Sequence, residues 1–143
     1  MIKIAKQYNL DYISKIESKN FINPWSKNQF MDYILDLDSY NLVYIKKNMI
    51  SGYLFGKIID NCYHVYKVSV KEDLINTGIG SLLVKYMIKY IKGLNLYCIY
   101  LEVGASNIIA IRLYENFGFK KVNIRKKYYA NNEDALLYNL ILE

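Results

Sequence analysis

The sequence is poor in the residues that build metal sites and disulfide frameworks. Its 143 residues include one histidine, His64, and two cysteines, Cys62 and Cys98. A structural zinc site takes four Cys or His ligands, and no such cluster is present, so we expect no metal. The two cysteines form no CxxC motif and are too few for the framework of a small secreted domain. We therefore expect them to be reduced, buried thiols.

Long uncharged apolar segments are also absent. A helix that spans a bilayer takes ~20 apolar residues, and no stretch of this chain approaches that length. The first residues, Met1-Ile2-Lys3-Ile4, lead into neither the apolar region nor the cleavage site of a signal peptide. No Pro/Gly/Ser-rich linker and no repeat interrupts the chain. The sequence therefore predicts one cytoplasmic globular domain over residues 1–143, without a membrane partner.

Basic charge is in excess but is not concentrated. The net charge is +6, yet the 19 Lys and Arg residues are spread along the chain in runs of no more than three. A nucleic-acid-binding protein normally gathers such residues into a patch, so we expect no direct nucleic-acid partner. An anionic small cofactor explains the surplus equally well. With 53% hydrophobic residues, the chain is long enough to bury a sizeable core.

Strand-like and helix-like patterns follow one another along the chain. Seven strand-like runs are predicted. Six cover residues 1–4, 41–46, 50–59, 97–103, 119–125 and 135–142, and the remaining one follows the turn at residues 60–61 and ends at residue 70. Four helices are predicted between them. The second begins at a capping box of Ser26 and Gln29, and the fourth begins at Ser106 and stops at Gly118. This order predicts an α/β fold with a central mixed sheet.

Two of the predicted helices carry a recognisable apolar face. In the second helix the apolar face is formed by Phe30, Tyr33, Ile34 and Leu37. In the third helix it is formed by Leu82, Leu83, Tyr86, Met87, Tyr90 and Ile91, with Lys85, Lys89 and Lys92 on the opposite side. Both helices are therefore predicted to pack on the sheet.

A glycine pair lies between a strand and the third helix. The segment "NTGIGS", residues 76–81, follows "YHVYKVSV" and precedes "LLVKYMIKYIK". Backbone N–H groups at a helix N-terminus suit an anion such as a phosphate. The segment is not a P-loop, because Ser81 stands where Lys is required, and it lacks the third glycine of a dinucleotide fingerprint. A simple tight turn is the alternative interpretation.

Two side chains near this loop are candidates for catalysis. Alternation in the strand 97–103 puts Glu102 on one face, with Ile99, Leu101 and Val103 on the other. Glu102 is either a general base on the sheet surface or an edge residue that meets water. Tyr114, in the following helix, either points across the same cleft or packs in the core. An acyl-cysteine route through Cys98 and His64 is a further alternative.

Three segments carry a resemblance to a known family. The segments "VSVKEDLINTGIGSLL", "LEVGASNIIAIRLYENFGF" and "IRKKYY...EDA" resemble GNAT N-acetyltransferases, specifically the bacterial ribosomal-protein-alanine N-acetyltransferases. The segment "IESKNFINPWS" is similar to that family's opening. The resemblance implies the GNAT fold, with about seven strands, about four helices and acetyl-CoA between splayed parallel strands. It also implies a monomer that transfers acetyl to a protein N-terminus, with a small-subunit ribosomal protein as partner.

The resemblance also implies a role for individual residues. Glu102 would be the general base and Tyr114 the general acid, while Trp25, Tyr128 and Tyr129 would line the groove for the substrate peptide. The residues implied to bind acetyl-CoA are Val68, Ser69, Val70, Asn76, Thr77, Gly78, Ile79, Gly80, Ser81 and Asn107.

The chain departs from the family pattern at two positions. Ile75 stands where Arg or Gln commonly precedes the loop, and Gly104 follows "LEV" where Arg is usual. The turn "ANNED" is also short, which leaves the peptide selectivity open. Acetylation of a lysine or a polyamine therefore stays an alternative, as does a catalytically silent module that only binds acetyl-CoA.

Overall fold

The computed structural model describes residues 1–143 and contains one seven-stranded sheet flanked by four helices. The strands are β1 (Ile2–Ile4), β2 (Leu42–Lys46), β3 (Met49–Ile59), β4 (Cys62–Val70), β5 (Cys98–Gly104), β6 (Lys120–Arg125) and β7 (Ala135–Ile141). The helices are α1 (Leu10–Asn20), α2 (Lys27–Leu35), α3 (Ile79–Lys92) and α4 (Ile108–Asn116). None of the helices is long and apolar enough to cross a membrane.

The sheet is mixed, as the order of the predicted elements indicates. Its strand order is β1-β2-β3-β4-β5-β7-β6, and β4 and β5 are the only parallel neighbours. Left-handed residues close the two hairpins that lead to β4, at Lys47 and Asn48 and at Asp60 and Asn61. Consecutive residues with positive φ are typical of the tight turns whose twist matches the flanking strands.

Two apolar cores lie on opposite faces of the sheet. Residues from α1 and α2, such as Ile13 and Phe30, pack with Tyr53 of β3 on one face. Residues from α3 and α4 pack with the alternate residues of the strands, including Ile99 of β5, on the other face. In β5 the burial alternates as predicted, and Glu102 lies on the less buried side. This side faces the segment between α1 and α2.

The face that α3 presents to the sheet differs from the prediction. The buried residues of α3 are Ile79, Leu83, Val84, Met87, Ile88 and Ile91. Leu82, Tyr86 and Tyr90 were predicted to be buried but are 44%, 50% and 45% exposed. Tyr90 covers Tyr40 instead, with the two rings stacked at 3.8 Å. Similarly, Leu37 lies beyond the end of α2 and is fully exposed, so its predicted place on the apolar face is wrong.

The two cysteines are not free thiols, contrary to the expectation. Cys62 and Cys98 are joined as a disulfide. The parallel ladder places them directly opposite each other at the start of β4 and β5, with Cα atoms 4.7 Å apart. That separation lies in the range that a disulfide spans. Because its sulfur is bonded, Cys98 offers no thiol for an acyl-cysteine route.

Candidate active site

A cleft opens where the two parallel strands separate. β4 and β5 pair only between residues 62–65 and 98–101. Beyond that point β4 continues to pair with β3, and β5 continues to pair with β7. The stretch Val68–Val70 therefore has no strand neighbour on its β5 side. Backbone groups along an unpaired strand edge are available to bind an extended ligand that carries amides.

The glycine loop lies at one end of this cleft. Asn76 (φ 64°) and Gly78 (φ 93°) both adopt the left-handed conformation, which turns the chain sharply into α3. No side chain caps the N-terminus of α3. The first backbone N–H groups of a helix have no intrahelical partner, and the helix dipole adds positive potential there. The loop therefore has the local geometry of an anion site.

The residues implied to bind acetyl-CoA are mostly brought together here. A cavity of about 790 Å³ is lined by Val68, Ser69, Val70, Asn76, Gly78, Gly80, Ser81 and Asn107. Thr77 and Ile79 do not line it. The Thr77 hydroxyl donates to the Leu74 carbonyl oxygen at 2.5 Å, and the Ile79 side chain is buried in the core. Any contact from these two residues to a ligand would have to come from the backbone.

The fourth helix begins one residue later than predicted. Asn107, not Ser106, caps α4, because its side-chain oxygen accepts a hydrogen bond from the Ala110 N–H at 3.2 Å. Gly118 ends this helical segment with φ 92°, as predicted. The capping role places Asn107 on the wall shared by this cavity and the neighbouring groove.

Glu102 lines that neighbouring groove. The groove has a volume of about 1060 Å³ and lies between the segment after α1, the open edge of β4 and the loop before β7. The Glu102 side chain is 29% exposed, and its carboxylate lies 3.5 Å from the guanidinium of Arg125. A partly exposed carboxylate at the end of a parallel strand can accept a proton from a bound molecule.

Tyr114 lies at the junction of the two spaces. Its residue is buried, yet it lines both the cavity at the glycine loop and the groove of Glu102. Burial raises the pKa of the Tyr114 phenol well above its usual value. The hydroxyl group makes no hydrogen bond to another residue of the chain, so it is available as a donor to a bound molecule.

Comparison with known proteins identifies the family. The model of the acetyltransferase (GNAT) family matches residues 8–119. The chain belongs to the GNAT acetyltransferase family. This confirms the resemblance described above, and the seven-stranded mixed sheet with four helices agrees with the fold that it implied.

Several proteins similar to this GNAT acetyltransferase are named as N-alpha-acetyltransferases or ribosomal-protein-alanine N-acetyltransferases. It is 31% identical to an N-alpha-acetyltransferase of Saccharolobus solfataricus, over 95% of this chain and 89% of the relative. It is 27% identical to the [ribosomal protein bS18]-alanine N-acetyltransferase of Salmonella typhimurium, over 97% and 95%. The crystal structure of the ribosomal-protein-S18-alanine N-acetyltransferase of Escherichia coli superposes with a TM-score of 0.93 at 25% identity, covering 100% of this chain and 94% of that one.

The aromatic residues that the family resemblance implied for the peptide groove all line the groove of Glu102. Trp25 comes from the segment between α1 and α2, where its ring stacks on Tyr33 at 5.1 Å. Tyr128 and Tyr129 come from the loop before β7, with their rings edge to face at 5.4 Å. Burial, together with the carboxylates of Glu102 and Glu133, raises the pKa of Tyr129.

A buried ion pair supports one wall of this GNAT site. The sequence analysis did not predict it. Glu17 of α1 is fully buried, and its carboxylate lies 2.7 Å from the ammonium group of Lys67 on β4. The same carboxylate accepts hydrogen bonds from the Tyr53 hydroxyl at 2.5 Å and from the Trp25 backbone N–H at 2.8 Å. It thereby ties the segment that carries Trp25 to the sheet. The available signal was an acidic residue beside Ile13 and Ile16 on the apolar face of α1.

The contact of Asn20 with β4 was also not predicted from the sequence. Asn20 is the last residue of α1, and its side-chain amide donates to the Ser69 hydroxyl at 2.7 Å and to the Val70 carbonyl oxygen at 2.9 Å. The Val70 carbonyl and the Ser69 hydroxyl therefore already have a partner. Because the ladder turns the Ser69 backbone towards β3, Val68 is the freer part of the β4 edge. An asparagine at the end of a helix gives no sequence signal for such a contact.

Proposed function

We propose that this protein transfers an acetyl group from acetyl-CoA to the N-terminal α-amine of a protein, with alanine as the first residue and a small-subunit ribosomal protein as the partner. The observation that carries the proposal is the position of Tyr114. This residue lines both the cavity at the glycine loop and the groove that contains Glu102. A donor site and an acceptor site thus meet at one phenol, as direct transfer between two bound substrates requires.

The cavity at the glycine loop fits acetyl-CoA. The uncapped N-terminus of α3 suits the pyrophosphate, because its N–H groups and dipole favour negative charge. The open edge of β4 at Val68 suits the amide-bearing pantetheine arm. When bound, acetyl-CoA supplies the acetyl group as a thioester. The residues of this chain hold it, orient the acceptor amine and move the protons.

An α-amine is partly neutral at pH 7, so a weak base such as the Glu102 carboxylate is sufficient to deprotonate it. An α-amine with a pKa near 8 is roughly a tenth neutral at pH 7, whereas a lysine amine near 10.4 is neutral in under about one part in a thousand. A modest base is therefore sufficient for an N-terminus. Glu102 would take the proton that leaves the amine nitrogen as the new N–C bond forms, either directly or through one water.

Tyr114 would return a proton to the departing sulfur, and this role predicts a specific variant phenotype. Because burial raises the pKa of its phenol, Tyr114 stays protonated through neutral and mildly alkaline pH. Replacing it by Phe removes a hydroxyl that makes no hydrogen bond within the chain, so the free energy of unfolding should not fall. We expect kcat to fall about 10- to 100-fold with an unchanged KM for acetyl-CoA.

Steady-state kinetics together with urea denaturation would check this prediction. The Tyr128→Phe variant is a matched control, because it removes a phenol hydroxyl from the same groove but away from the cavity at the glycine loop. If Tyr114→Phe turns over as fast as the wild-type protein, Tyr114 does not donate the proton.

Mass spectrometry of the products tests the proposed function itself. Acetyl-CoA would be incubated with the protein and peptides that differ in their first residue, with N-terminally blocked, lysine-containing peptides and spermidine as controls. We expect acetylation of free Ala-starting N-termini and none of the blocked peptides. Modification of lysine or spermidine alone would assign a different acceptor, and binding of CoA without any transfer would assign a silent module.

A further inference from the structure

The position where the chain departs from the family pattern lies beside an acidic side chain. Gly104, at the end of β5, stands where the resembling family usually has Arg. A Cβ atom added to Gly104 would lie 2.7 Å from Oε1 of Glu133. The Glu133 carboxylate therefore occupies the space into which a side chain at residue 104 would extend. Glu133 belongs to the loop before β7 and lines the groove of Glu102.

Glu133 is held in place by neutral partners only. Its Oε1 accepts hydrogen bonds from the backbone N–H of Ser106 at 2.7 Å and from the Ser106 hydroxyl. Its Oε2 has only a contact of 3.5 Å with the side-chain amide of Asn131. These hydrogen bonds lower the pKa of the Glu133 carboxyl, so it is ionised at neutral pH.

The other charged groups of the groove are paired. Lys67 lies 2.7 Å from Glu17, and Arg125 lies 3.5 Å from Glu102. Glu133 forms no ion pair, since no Lys or Arg nitrogen lies within the 4.0 Å limit of one. The groove thus contains one oriented carboxylate without a cation.

This carboxylate lies one strand repeat from the candidate base. Glu102 and Gly104 are two residues apart on the same face of β5, a spacing of about 7 Å. Glu133 fills the position above Gly104, so it lies about that far from Glu102. Tyr129 lines the same groove as both carboxylates, and both contribute to its raised pKa. If the acceptor amine is at Glu102, the next residue of an extended peptide lies within side-chain reach of Glu133.

We infer that Glu133 is a specificity-determining residue that selects acceptor peptides with Lys or Arg at their second position. This inference rests on the proposed function. A guanidinium or ammonium group at that position would pair with Oε2 of Glu133. In the usual family pattern an Arg at position 104 would lie beside this carboxylate, and Gly104 leaves it free to bind a basic side chain of the substrate.

Equilibrium binding tests the inference independently of turnover. Peptides that begin Ala-Arg, Ala-Gln or Ala-Glu and are otherwise identical would be titrated into the CoA-loaded protein. We expect the Ala-Arg peptide to bind about fivefold more tightly than the Ala-Gln peptide at low salt, and the Ala-Glu peptide to bind most weakly. The preference should weaken as the salt concentration rises.

Two variants should abolish the preference, and a matched variant should keep it. Glu133→Gln removes the charge but retains an oxygen for Ser106. Gly104→Arg would displace the Glu133 carboxylate with its Cβ and would also supply an internal cation. In both, the Ala-Arg and Ala-Gln peptides should bind equally. Asp134→Asn removes the neighbouring negative charge, whose carboxylate lies 3.6 Å from the Lys126 ammonium, and should keep the fivefold preference.

The outcomes separate this inference from the proposed function. Equal binding of the Ala-Arg and Ala-Gln peptides to the parent protein would overturn the inference, even if both peptides are acetylated. A preference that persists in Glu133→Gln would also overturn it. A Glu133-dependent preference without any acetyl transfer would support the role of Glu133 in peptide binding and overturn the proposed function alone.

Discussion

Replacing Glu102 by Gln should lower kcat by about 10²- to 10⁴-fold, the range that a general base contributes. Gln has nearly the same shape as Glu but does not take up a proton. The ion pair with Arg125 is partly exposed, with the two side chains 29% and 49% accessible, so its loss should cost at most about 1 kcal/mol of stability. The variant should therefore fold and bind CoA as the parent does.

Arg125→Gln is the matched control for this prediction. It breaks the same ion pair but leaves the Glu102 carboxylate in the groove. We expect it to retain turnover within about tenfold of the parent, since the proposed base is intact. Single-turnover acetyl transfer, measured beside CoA binding, separates the two variants. A Glu102→Gln protein with the rate of the parent would show that Glu102 is not the base.

Breaking the buried pair of Glu17 and Lys67 should have the largest effect on stability. Lys67→Met would leave a fully buried carboxylate with only neutral donors, at a cost of about 3–5 kcal/mol in the free energy of unfolding. The same change would loosen the segment that carries Trp25, because this carboxylate also accepts the Trp25 N–H. Urea denaturation of the variant should therefore show a lower midpoint.

A double-mutant cycle separates the ion pair from its surroundings. The variant Glu17→Gln/Lys67→Met removes both charges. Tyr53 and Trp25 bond to different oxygens of the Glu17 carboxylate, so the single glutamine oxygen would accept from the Trp25 N–H and the glutamine amide would donate to the Tyr53 hydroxyl oxygen. We expect the double variant to be more stable than the sum of the two single changes implies, by about 1–3 kcal/mol. Additive losses would show that the pair does not contribute to stability as a unit.

The sequence was sufficient for the elements because each depends on local patterns. The capping box of Ser26 and Gln29 forms as predicted, with both reciprocal hydrogen bonds present. The alternation in β5 and the stop of the fourth helix at Gly118 are also local, and both are found in the structure. Family likeness added the proposed roles of Glu102 and Tyr114, which periodicity alone left open.

The features that were missed depend on contacts between distant segments. The predicted buried face of α3 was wrong, because helical periodicity is also compatible with a rotation about the helix axis. In the structure Val84 and Ile88 point inward and Tyr86 points outward. The bond between Cys62 and Cys98 depends on the register of two strands whose cysteines are 36 residues apart. The contact between Glu133 and Ser106 likewise joins two loops. It engages the residue that was expected to cap α4, and Asn107 forms the cap instead.

The short parallel ladder between β4 and β5 has a consequence for the order of folding. The hairpins from β2 to β4 join neighbouring segments. In a chain whose Cys62–Cys98 disulfide is reduced, by contrast, pairing β4 with β5 must first bring together residues separated by the whole of α3. Closing such a loop costs entropy, and non-local strand pairing is slow. An intermediate that contains only the hairpins has no cleft between diverging strands. When the reduced chain refolds, acetyl transfer should therefore recover with the slowest phase, after most of the secondary structure has formed.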